Sequence, residues 1–245
     1  MSSPEPPLEA LPEDWERALV VVAHPDDPEY GAAAAVARWT SSGKDVRYVL
    51  ATRGEAGIAG LHPDDSRPAR EAEQVASARV VGVEVVEFLD HADGTLVQGP
   101  GLRREIARAV RRHRPELVLT LNHRETWAPG RWNSADHRAL GCSVLDAVAD
   151  AANEWIFPEL TTQGHQPWSG VRWVAVASSP QPTHAVDVSA HIETAVAALS
   201  AHRLYLAALD DSPVEAQARQ QIGWATAANP RFGHLPSVTF ELFVQ

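Results

Sequence analysis

The apolar and polar positions of the chain fall into blocks that predict strands separated by helices. Apolar runs, several of them continuously β-branched as in strands covered on both faces, occur at residues 18–24, 45–52, 83–89, 116–121 and 171–178. Helical stretches lie between or after these runs, at residues 29–42, 68–80, 102–113 and 134–152. Strands that alternate with helices of this length form βαβ units. The pattern therefore predicts an α/β fold with a Rossmann-like, mostly parallel sheet and helices on both faces.

The two ends of the chain have patterns of their own. Residues 1–16 are rich in proline and acidic side chains, which predicts a flexible lead-in before a single domain over residues 17–245. After the fifth strand we expect a short extended piece at 183–188, helices at 190–209 and near 213–227, and a closing run at 236–244. We expect that closing run to form an edge strand of the sheet.

Polar segments follow each of the predicted strands. The first strand is followed by "HPDDPE" at residues 24–29, and the later strands are followed by segments 52–57, 90–94, 122–137 and 183–187. In open α/β sheets, ligands bind in the crevice outside the carboxyl ends of the strands. The sequence therefore predicts a functional site at this edge of the sheet.

Composition excludes several classes of partner and site. Thirty-two acidic against 21 basic residues give a formal charge of −11, whereas a broad nucleic-acid surface needs clustered Lys and Arg. No run of about 18 apolar residues is present, and the first residues lack the basic and apolar segments of a secretory signal. We expect a cytoplasmic protein with no nucleic-acid partner and no membrane span. Cys142, the single cysteine, cannot form an intramolecular disulfide or a metal site built from several thiolates.

The segment "AHPDDPE" after the first strand favours a divalent cation over a nucleotide. A dinucleotide-binding loop would carry glycines at this place, and the paired carboxylates of Asp26 and Asp27 would repel a pyrophosphate. His24 offers a ring nitrogen and a neighbouring carboxylate offers an oxygen, while Pro25 stiffens the turn. A catalytic zinc site needs a third protein ligand. His137, near the start of the helix after the fourth strand, is the best candidate, although a histidine in a first turn can equally be structural.

These residues carry a family resemblance. "AHPDDPE" resembles the Ala-His-Pro-Asp-Asp-x-Glu signature of the PIG-L/LmbE-like zinc-dependent de-N-acetylases, a family related to the deacetylases of mycothiol and bacillithiol biosynthesis. Further similar segments are "TRGEAG", "RPAREAEQVASARVVGV", "HADGTL", "ADHRA", and "VDV" followed by an "AAL-x-AH" helix that ends at His202. The resemblance covers roughly residues 17–205.

The resemblance implies an LmbE-like fold and a hydrolase that removes an N-acetyl or related acyl group from a small amide, typically an aminosugar conjugate. It implies one Zn²⁺ per chain, bound by His24, Asp27 and His137, and a water molecule activated by the metal. Asp26 would be the general base. Asp136, beside His137, is then expected to accept a hydrogen bond behind the metal ligands, although a helix-capping charge explains it equally well.

One position departs from the family pattern. Where the family has His-Pro-Asp-His, this chain has Ser134 as the first residue of the motif. A serine donates one neutral hydrogen bond but is no acid near neutral pH. Either another histidine substitutes, with His184 the first choice ahead of His123 and His91, or turnover is slow, or the substrate needs less assistance.

The residues expected to face the substrate come from the family-like segments and from the long loop 122–133. They are Arg53, Glu55, Arg70, Asp93, Trp132 and Ser134. For Arg70, an ion pair with Glu73 on a helix surface is an equal alternative. Trp132 and its neighbour Trp127 suit stacking on a sugar, although one of them can instead be buried packing. The aromatic segment 153–160 is a candidate contact of a homo-oligomer.

Two other functions stay open at this point. One is an amidase that acts on a thiol conjugate or a secondary-metabolite precursor with the same metal site. The other is a weakly active metal-binding module, which the serine at position 134 favours.

Overall fold

The computed structural model describes residues 5–245 and has a central sheet flanked by helices. The strands are β1 Glu9–Ala10, β2 Arg17–Val22, β3 Asp45–Leu50, β4 Val86–Phe88, β5 Leu117–Leu121, β6 Thr126–Ala128, β7 Arg131–Trp132, β8 Trp173–Ala177, β9 His184–Asp187, β10 Ala228–Asn229 and β11 Leu235–Val244. The helices are α1 Asp27–Ser41, α2 Pro63–Val80, α3 Pro100–His113, α4 Ala135–Ala152, α5 Pro158–Thr162, α6 Ile192–Leu199, α7 Arg203–Leu209 and α8 Val214–Ala225.

The main sheet has the order β1-β9-β11-β8-β5-β2-β3-β4, with β10 paired to β11, and β6 and β7 form a separate hairpin. Strands β8, β5, β2, β3 and β4 pair in parallel, as the βαβ pattern predicts. The predicted α/β class with a mostly parallel sheet is confirmed. The carboxyl ends of β2, β3 and β5 consequently meet at one edge, where the polar segments lie.

The two faces of the sheet bury separate apolar cores, and β2 shows how the sequence builds both. Val20 and Val22 join the core under α1, α6 and α8, whereas Leu19 and Val21 join the core under α3 and α4. Because successive side chains of a strand point to opposite faces, a strand with a core on each side must be apolar throughout. Among residues 5–245 there is no helix with both the length and the apolarity needed to traverse a bilayer.

The C-terminal strand β11 differs from its predicted place. It pairs antiparallel with β8 on one side and with β9 on the other, so it lies inside the sheet rather than at an edge. Its residue Phe240 is fully buried, which explains the apolar run better than an edge position does. The strand at the edge is instead β1, which pairs in parallel with β9.

The lead-in that we predicted to be flexible over residues 1–16 is packed over its described part. Leu8, Leu11 and Trp15 are each at most 6% exposed, and the Trp15 ring meets Trp39 edge-on at 5.2 Å between centroids. The prediction gave weight to the prolines and acidic residues of this segment and not to the spaced apolar residues that anchor it. Residues 1–4 lie outside the described residues.

A break divides the helix predicted over 190–209. Helix α6 ends at Leu199 and α7 begins at Arg203, with the fully buried His202 at the boundary between them. The break turns the imidazole of His202 inward toward α1, where it lies 3.3 Å from a carboxylate oxygen of Glu29.

Candidate metal centre

A cavity of about 540 Å³ opens at the carboxyl edge of the sheet. The loop after β2 and the first turns of α1 and α4 supply its polar floor, and the β6–β7 hairpin supplies one wall. Residues that line it include His24, Asp26, Asp27, Arg70, Asp93, Trp127, Ser134 and His137. The polar segments predicted to gather at this edge therefore do so, with the exception of 183–187.

Three of the lining side chains bring one donor atom each to a common point. Nδ1 of His24 lies 3.2 Å from Nε2 of His137, and Nε2 of His137 lies 3.1 Å from Oδ1 of Asp27. The third separation, from Nδ1 of His24 to Oδ2 of Asp27, is 3.5 Å. Ligands bonded at about 2.0–2.1 Å to a tetrahedral ion are separated by about 3.3 Å. Each pair of residues thus approaches to about this separation, with Asp27 meeting His137 through Oδ1 and His24 through Oδ2. One atom of each residue lies within 4.8 Å of one atom of the other two, so these residues could hold a metal ion.

The hydrogen-bond partners of the two imidazoles favour a cation between His24, Asp27 and His137. Nε2 of His24 faces Oδ2 of Asp136 at 3.2 Å, and Nδ1 of His137 faces Oδ1 of Asn133 at 3.1 Å. The amide of Asn133 is fixed because its Nδ2 donates to the carbonyls of Asn122 and Arg124. Each outer nitrogen therefore carries a hydrogen, so without a further proton or a metal ion the inner nitrogens present lone pairs to each other and to Asp27.

A single proton would relieve only one of these repelling contacts, whereas a metal ion relieves all of them. The surroundings of His24 favour positive charge in the same way. Burial lowers the pKa of His24, but hydrogen bonds to Asp136, Asp27 and Asp93 outweigh it and raise the pKa well above its ordinary value. The donor set therefore fits a divalent ion that accepts nitrogen and oxygen ligands.

The backbone of the two residues that follow β2 holds the carboxylate of Asp27 in place. Its Oδ2 accepts hydrogen bonds from the N–H groups of Ala23 at 3.1 Å and His24 at 2.9 Å, which leaves Oδ1 toward His137. Burial raises the pKa of Asp27, but the imidazoles of His137 and His24 outweigh it and hold the pKa well below its ordinary value. Asp27 is therefore anionic in the folded protein, as a metal ligand would have to be.

Asp26 lies beside the ligands without joining them. It precedes α1 in the left-handed conformation, with φ 83°, and its Oδ2 accepts from Nη2 of Arg70 at 3.2 Å. Burial raises the pKa of Asp26 to about 6, with Arg70 opposing the rise and the charge of Asp27 adding to it. A buried carboxyl with such a pKa can take up and release a proton near neutral pH.

The outer hydrogen bonds differ from the prediction in one respect. Asp136 supports His24, which is distant in sequence, and not its neighbour His137; its own oxygens accept from the N–H groups of Gly94 and Leu96 at 2.8 and 3.0 Å. The residue that supports His137 is Asn133, which was not among the predicted site residues. Its spacing of four residues from His137, at the start of a helix, was the signal that could have identified it.

A correction concerns His184, the predicted substitute for the family histidine. It lies on β9, separated from β5 by β11 and β8, with Nδ1 2.8 Å from Oγ1 of Thr183. The prediction placed this residue in a polar segment after the strand at 171–178, at the same edge as the other segments, but β11 lies between β8 and β9 and moves His184 away from the cavity. His91 contacts Glu105 and His123 packs on Phe243. Within residues 5–245, His24 and His137 are the histidines that line the cavity.

Ser134 lines the cavity and also caps α4. Its Oγ accepts from the N–H of His137 at 3.1 Å, so the hydroxyl hydrogen remains free to donate into the cavity. The capping role positions the first turn of α4 and hence the third predicted ligand.

The predicted substrate-facing residues divide into two groups. Arg70 and Asp93 line the cavity, and Arg70 is only 2% exposed, so the alternative of a surface pair with Glu73 is wrong. Arg53 and Glu55 do not line the cavity; they form ion pairs with Glu71 at 2.9 Å and Arg67 at 3.3 Å, which shape the neighbouring loops.

Of the two tryptophans of the β6–β7 hairpin, one lines the cavity and the other does not. Trp127 lines the cavity and its ring lies edge-on to His137 at 5.4 Å. Trp132, the residue we predicted, is 63% exposed outside the cavity and stacks with Arg138. Trp132 pairs with Thr126, the residue before Trp127, and neighbouring side chains of a strand point to opposite sides. The sequence did not indicate which of the two tryptophans faces the cavity. Sequence reasoning also missed Tyr30, Tyr205 and Gln221, which line the cavity.

Comparison with known proteins gives three findings. A family model described as PIG-L, GlcNAc-PI de-N-acetylase, matches residues 19–148, more than half of the chain. Diacetylchitobiose deacetylase of Thermococcus kodakarensis is 29% identical, with 77% of this chain and 70% of the relative covered. A 1D-myo-inositol 2-acetamido-2-deoxy-alpha-D-glucopyranoside deacetylase of Kineococcus radiotolerans is 37% identical, but only 56% of this chain and 46% of the relative are covered.

Among solved structures, N,N'-diacetylchitobiose deacetylase of Pyrococcus horikoshii superposes with a TM-score of 0.85 at 22% identity. The match covers 95% of this chain and 85% of that chain. The likeness shows that the two proteins share a fold.

Proposed function

The chain belongs to the PIG-L, GlcNAc-PI de-N-acetylase, family, and from that premise we propose that it removes the acetyl group of an N-acetylated aminosugar conjugate with zinc at the predicted site. The predicted enzyme class, an N-deacetylase that hydrolyses an amide C–N bond, is confirmed by the family and its relatives. The identity of the metal, the roles of the residues and the substrate are our proposals.

One observation supports the proposal above all others. His24, Asp27 and His137 bring one possible ligand atom each to within 4.8 Å of the others, next to a buried carboxyl, Asp26, that is not among them. A metal-dependent hydrolase needs this combination of a metal site and an adjacent proton acceptor. When bound by these ligands, zinc would supply polarisation of the scissile carbonyl and a lowered pKa for a water molecule.

The side chains around the ligands carry the proton transfers. Arg70 donates to Oδ2 of Asp26, so Oδ1 is the atom that accepts the proton of the attacking water. Asp26 then returns that proton to the departing nitrogen, which leaves as an amine. The hydroxyl of Ser134 offers one neutral hydrogen bond to the developing oxyanion. Since loss of one oxyanion donor typically costs on the order of a hundredfold in rate, we expect turnover slower than with a histidine at this position.

The cavity walls support an aminosugar as the substrate. Trp127, Tyr30 and Tyr205 present aromatic surface around the metal centre, and Asp93 offers a carboxylate to a sugar hydroxyl. The names of two relatives, diacetylchitobiose deacetylase and the inositol acetamido-glucopyranoside deacetylase, describe N-acetylated sugars as their substrates. These names support the same substrate class here. The single domain over residues 17–245, the cytoplasmic location and the homo-oligomer stay predictions from the sequence.

The test is amine release by protein of known metal content, with a panel of N-acetylated monosaccharides, disaccharides and sugar–polyol conjugates and one amide of a thiol conjugate. We expect release from at least one aminosugar substrate. We expect Asp26→Asn, whose side chain tolerates the left-handed conformation, to keep the metal and to lose about a hundredfold or more of the turnover. Release from the thiol conjugate alone would favour the amidase, and unchanged turnover in Asp26→Asn would refute the assigned base.

A further inference from the structure

A buried polar network lies directly beneath Asp26, on the side away from the cavity. Its members are Glu29, Gln74, Ser77 and His202, each at most 1% exposed. They come from the first turn of α1, from the middle of α2 and from the break between α6 and α7. Burying four polar side chains is costly unless each has a hydrogen-bond partner, and the partners of these four show what they hold in place.

The network reaches the backbone of Asp26 through Gln74. Oε1 of Gln74 accepts from the N–H of Asp26 at 2.8 Å, while its Nε2 donates to both carboxylate oxygens of Glu29 at 3.1 and 3.3 Å. The carboxylate therefore fixes the direction of the amide, because a flipped amide would place its hydrogens against the N–H of Asp26 and its oxygen against the carboxylate.

Glu29 is fixed in turn by two further donors. Oγ of Ser77 lies 2.8 Å from Oε1 of Glu29, and Nε2 of His202 lies 3.3 Å from its Oε2. The carboxylate is thus held from α2 on one side and from the α6–α7 break on the other. A side chain held at both oxygens cannot turn without losing bonds that buried water does not replace.

The bond to Gln74 matters because the conformation of Asp26 is strained. A non-glycine residue at φ 83° is uncommon and strained, so it persists only where its surroundings impose it. Helix α2 imposes it twice: Gln74 holds the N–H of Asp26, and Arg70, one turn earlier on the same face, holds its carboxylate and the carbonyl of Pro25 at 2.7 Å.

We propose that Gln74, oriented by Glu29, Ser77 and His202, is a positioning residue that holds the strained backbone of Asp26 and thereby aims its carboxylate at the substrate. This inference rests on the proposed function of Asp26 as the base. It assigns a task to the glutamate of "AHPDDPE" and to the distant His202, neither of which lines the cavity.

The test pairs two buried helix serines that differ in what they hold. Ser77→Ala removes a donor to Glu29, whereas the control Ser143→Ala removes a fully buried hydroxyl of α4 that bonds only within its own helix, to the carbonyl of Ala139. Gln74→Met, which keeps the length of the side chain, removes the acceptor of the Asp26 N–H. For each variant we would measure kcat, KM, metal content and the hydrogen-exchange rate of the Asp26 amide.

We expect Gln74→Met to lower kcat about tenfold to a hundredfold with KM and metal content unchanged, because small displacements of a catalytic group have effects of that size. The amide of Asp26 should exchange faster in Gln74→Met and Ser77→Ala and at the wild-type rate in Ser143→Ala. Equal kcat losses in the two serine variants, or an unchanged Asp26 exchange rate in Gln74→Met, would overturn the proposal. If Gln74→Met does not fold, the serine pair decides.

The two proposals fail in different ways. A wild-type protein that carries metal but releases no amine from any substrate of the panel would refute the proposed function. The exchange rates of the Asp26 amide would still test whether Gln74 holds that backbone.

Discussion

Oδ2 of Asp136 lies 3.2 Å from Nε2 of His24, although the two residues are 112 positions apart in the chain. Together with Oδ1 of Asp93, 3.1 Å from the same nitrogen, Asp136 favours a hydrogen on Nε2, which leaves Nδ1 to face His137 and Asp27. Asp136 is itself fixed by the N–H groups of Gly94 and Leu96. The loop after β4 and the first turn of α4 thereby act together on His24, which lies in neither of these segments.

Removal of this support should weaken metal binding without abolishing it. We expect Asp136→Ala to lower the affinity for zinc by about tenfold to a hundredfold, as is typical for the loss of a group that orients a metal-ligating histidine. Competition with a chelator of known affinity measures the change. Asp146→Ala, an exposed carboxylate of the same helix, is the control and should bind zinc as the wild type does.

The two tryptophans of the hairpin make a matched pair for substrate binding. We expect Trp127→Ala to raise KM for an aminosugar substrate by about tenfold, because it removes aromatic surface that lines the cavity. Trp132→Ala, on the exposed side of the hairpin, should leave KM unchanged. Similar changes in both variants would mean that the hairpin acts as a whole and not through Trp127.

The serine that departs from the family pattern can be tested by restoring the histidine. Ser134→His should raise kcat, because an imidazole at the cavity wall can donate to the oxyanion more strongly than a hydroxyl. The same variant should lose about 1 kcal/mol of unfolding free energy, since the cap of α4 is removed. Ser134→Asn keeps a cap without adding an acid and should retain the wild-type kcat. A Ser134→His variant that folds and is no faster would contradict this account of the position.

A pH effect on stability follows from Glu241, which anchors the loop after β5. Burial raises the pKa of Glu241, but hydrogen bonds from Arg124 and Ser179 outweigh it and hold the pKa below its ordinary value. A carboxyl with a lowered pKa in the folded state stabilises the protein above its unfolded-state pKa, about 4.3, and loses that contribution as the pH falls through the folded-state value.

The matching measurement is urea denaturation of Glu241→Gln and wild type across pH 3–7. The difference in unfolding free energy should be largest near pH 6–7 and should shrink toward pH 3. Glu215→Gln, at an exposed glutamate, should show a small difference that hardly varies with pH. A difference for Glu241→Gln that grows as the pH falls would have the wrong sign for this account.

The sequence predicted the fold where the pattern was local and repeated. The β-branched runs of β2, β5 and β8 could hardly be anything but buried parallel strands, and "HPDD" after β2 could hardly serve a pyrophosphate. The position of β11 could not be predicted, because the alternation of β11 fits an edge strand or an interior strand equally. Because β11 lies between β8 and β9, the same ambiguity is the reason why the predicted position of His184 was wrong.

The parts of the site that could not be predicted depend on long-range contacts. The pairing of Asp136 with His24, of Gln74 with the backbone of Asp26, and of His202 with Glu29 each joins segments that no short-range pattern connects. Asn133 was different, because its distance of four residues from His137 across the start of a helix is a local signal. The packing of residues 5–16 was hidden for another reason: three buried apolar side chains outweigh a composition that favours disorder.

The metal content of the purified chain tests the central claim most directly. We expect about one equivalent of zinc per wild-type chain and, because two ligands do not make a zinc site of this type, almost none in His137→Ala after dialysis against a chelator. A wild-type chain that binds no divalent metal, or a His137→Ala variant that retains a full equivalent, would contradict the convergence of His24, Asp27 and His137 on one ion.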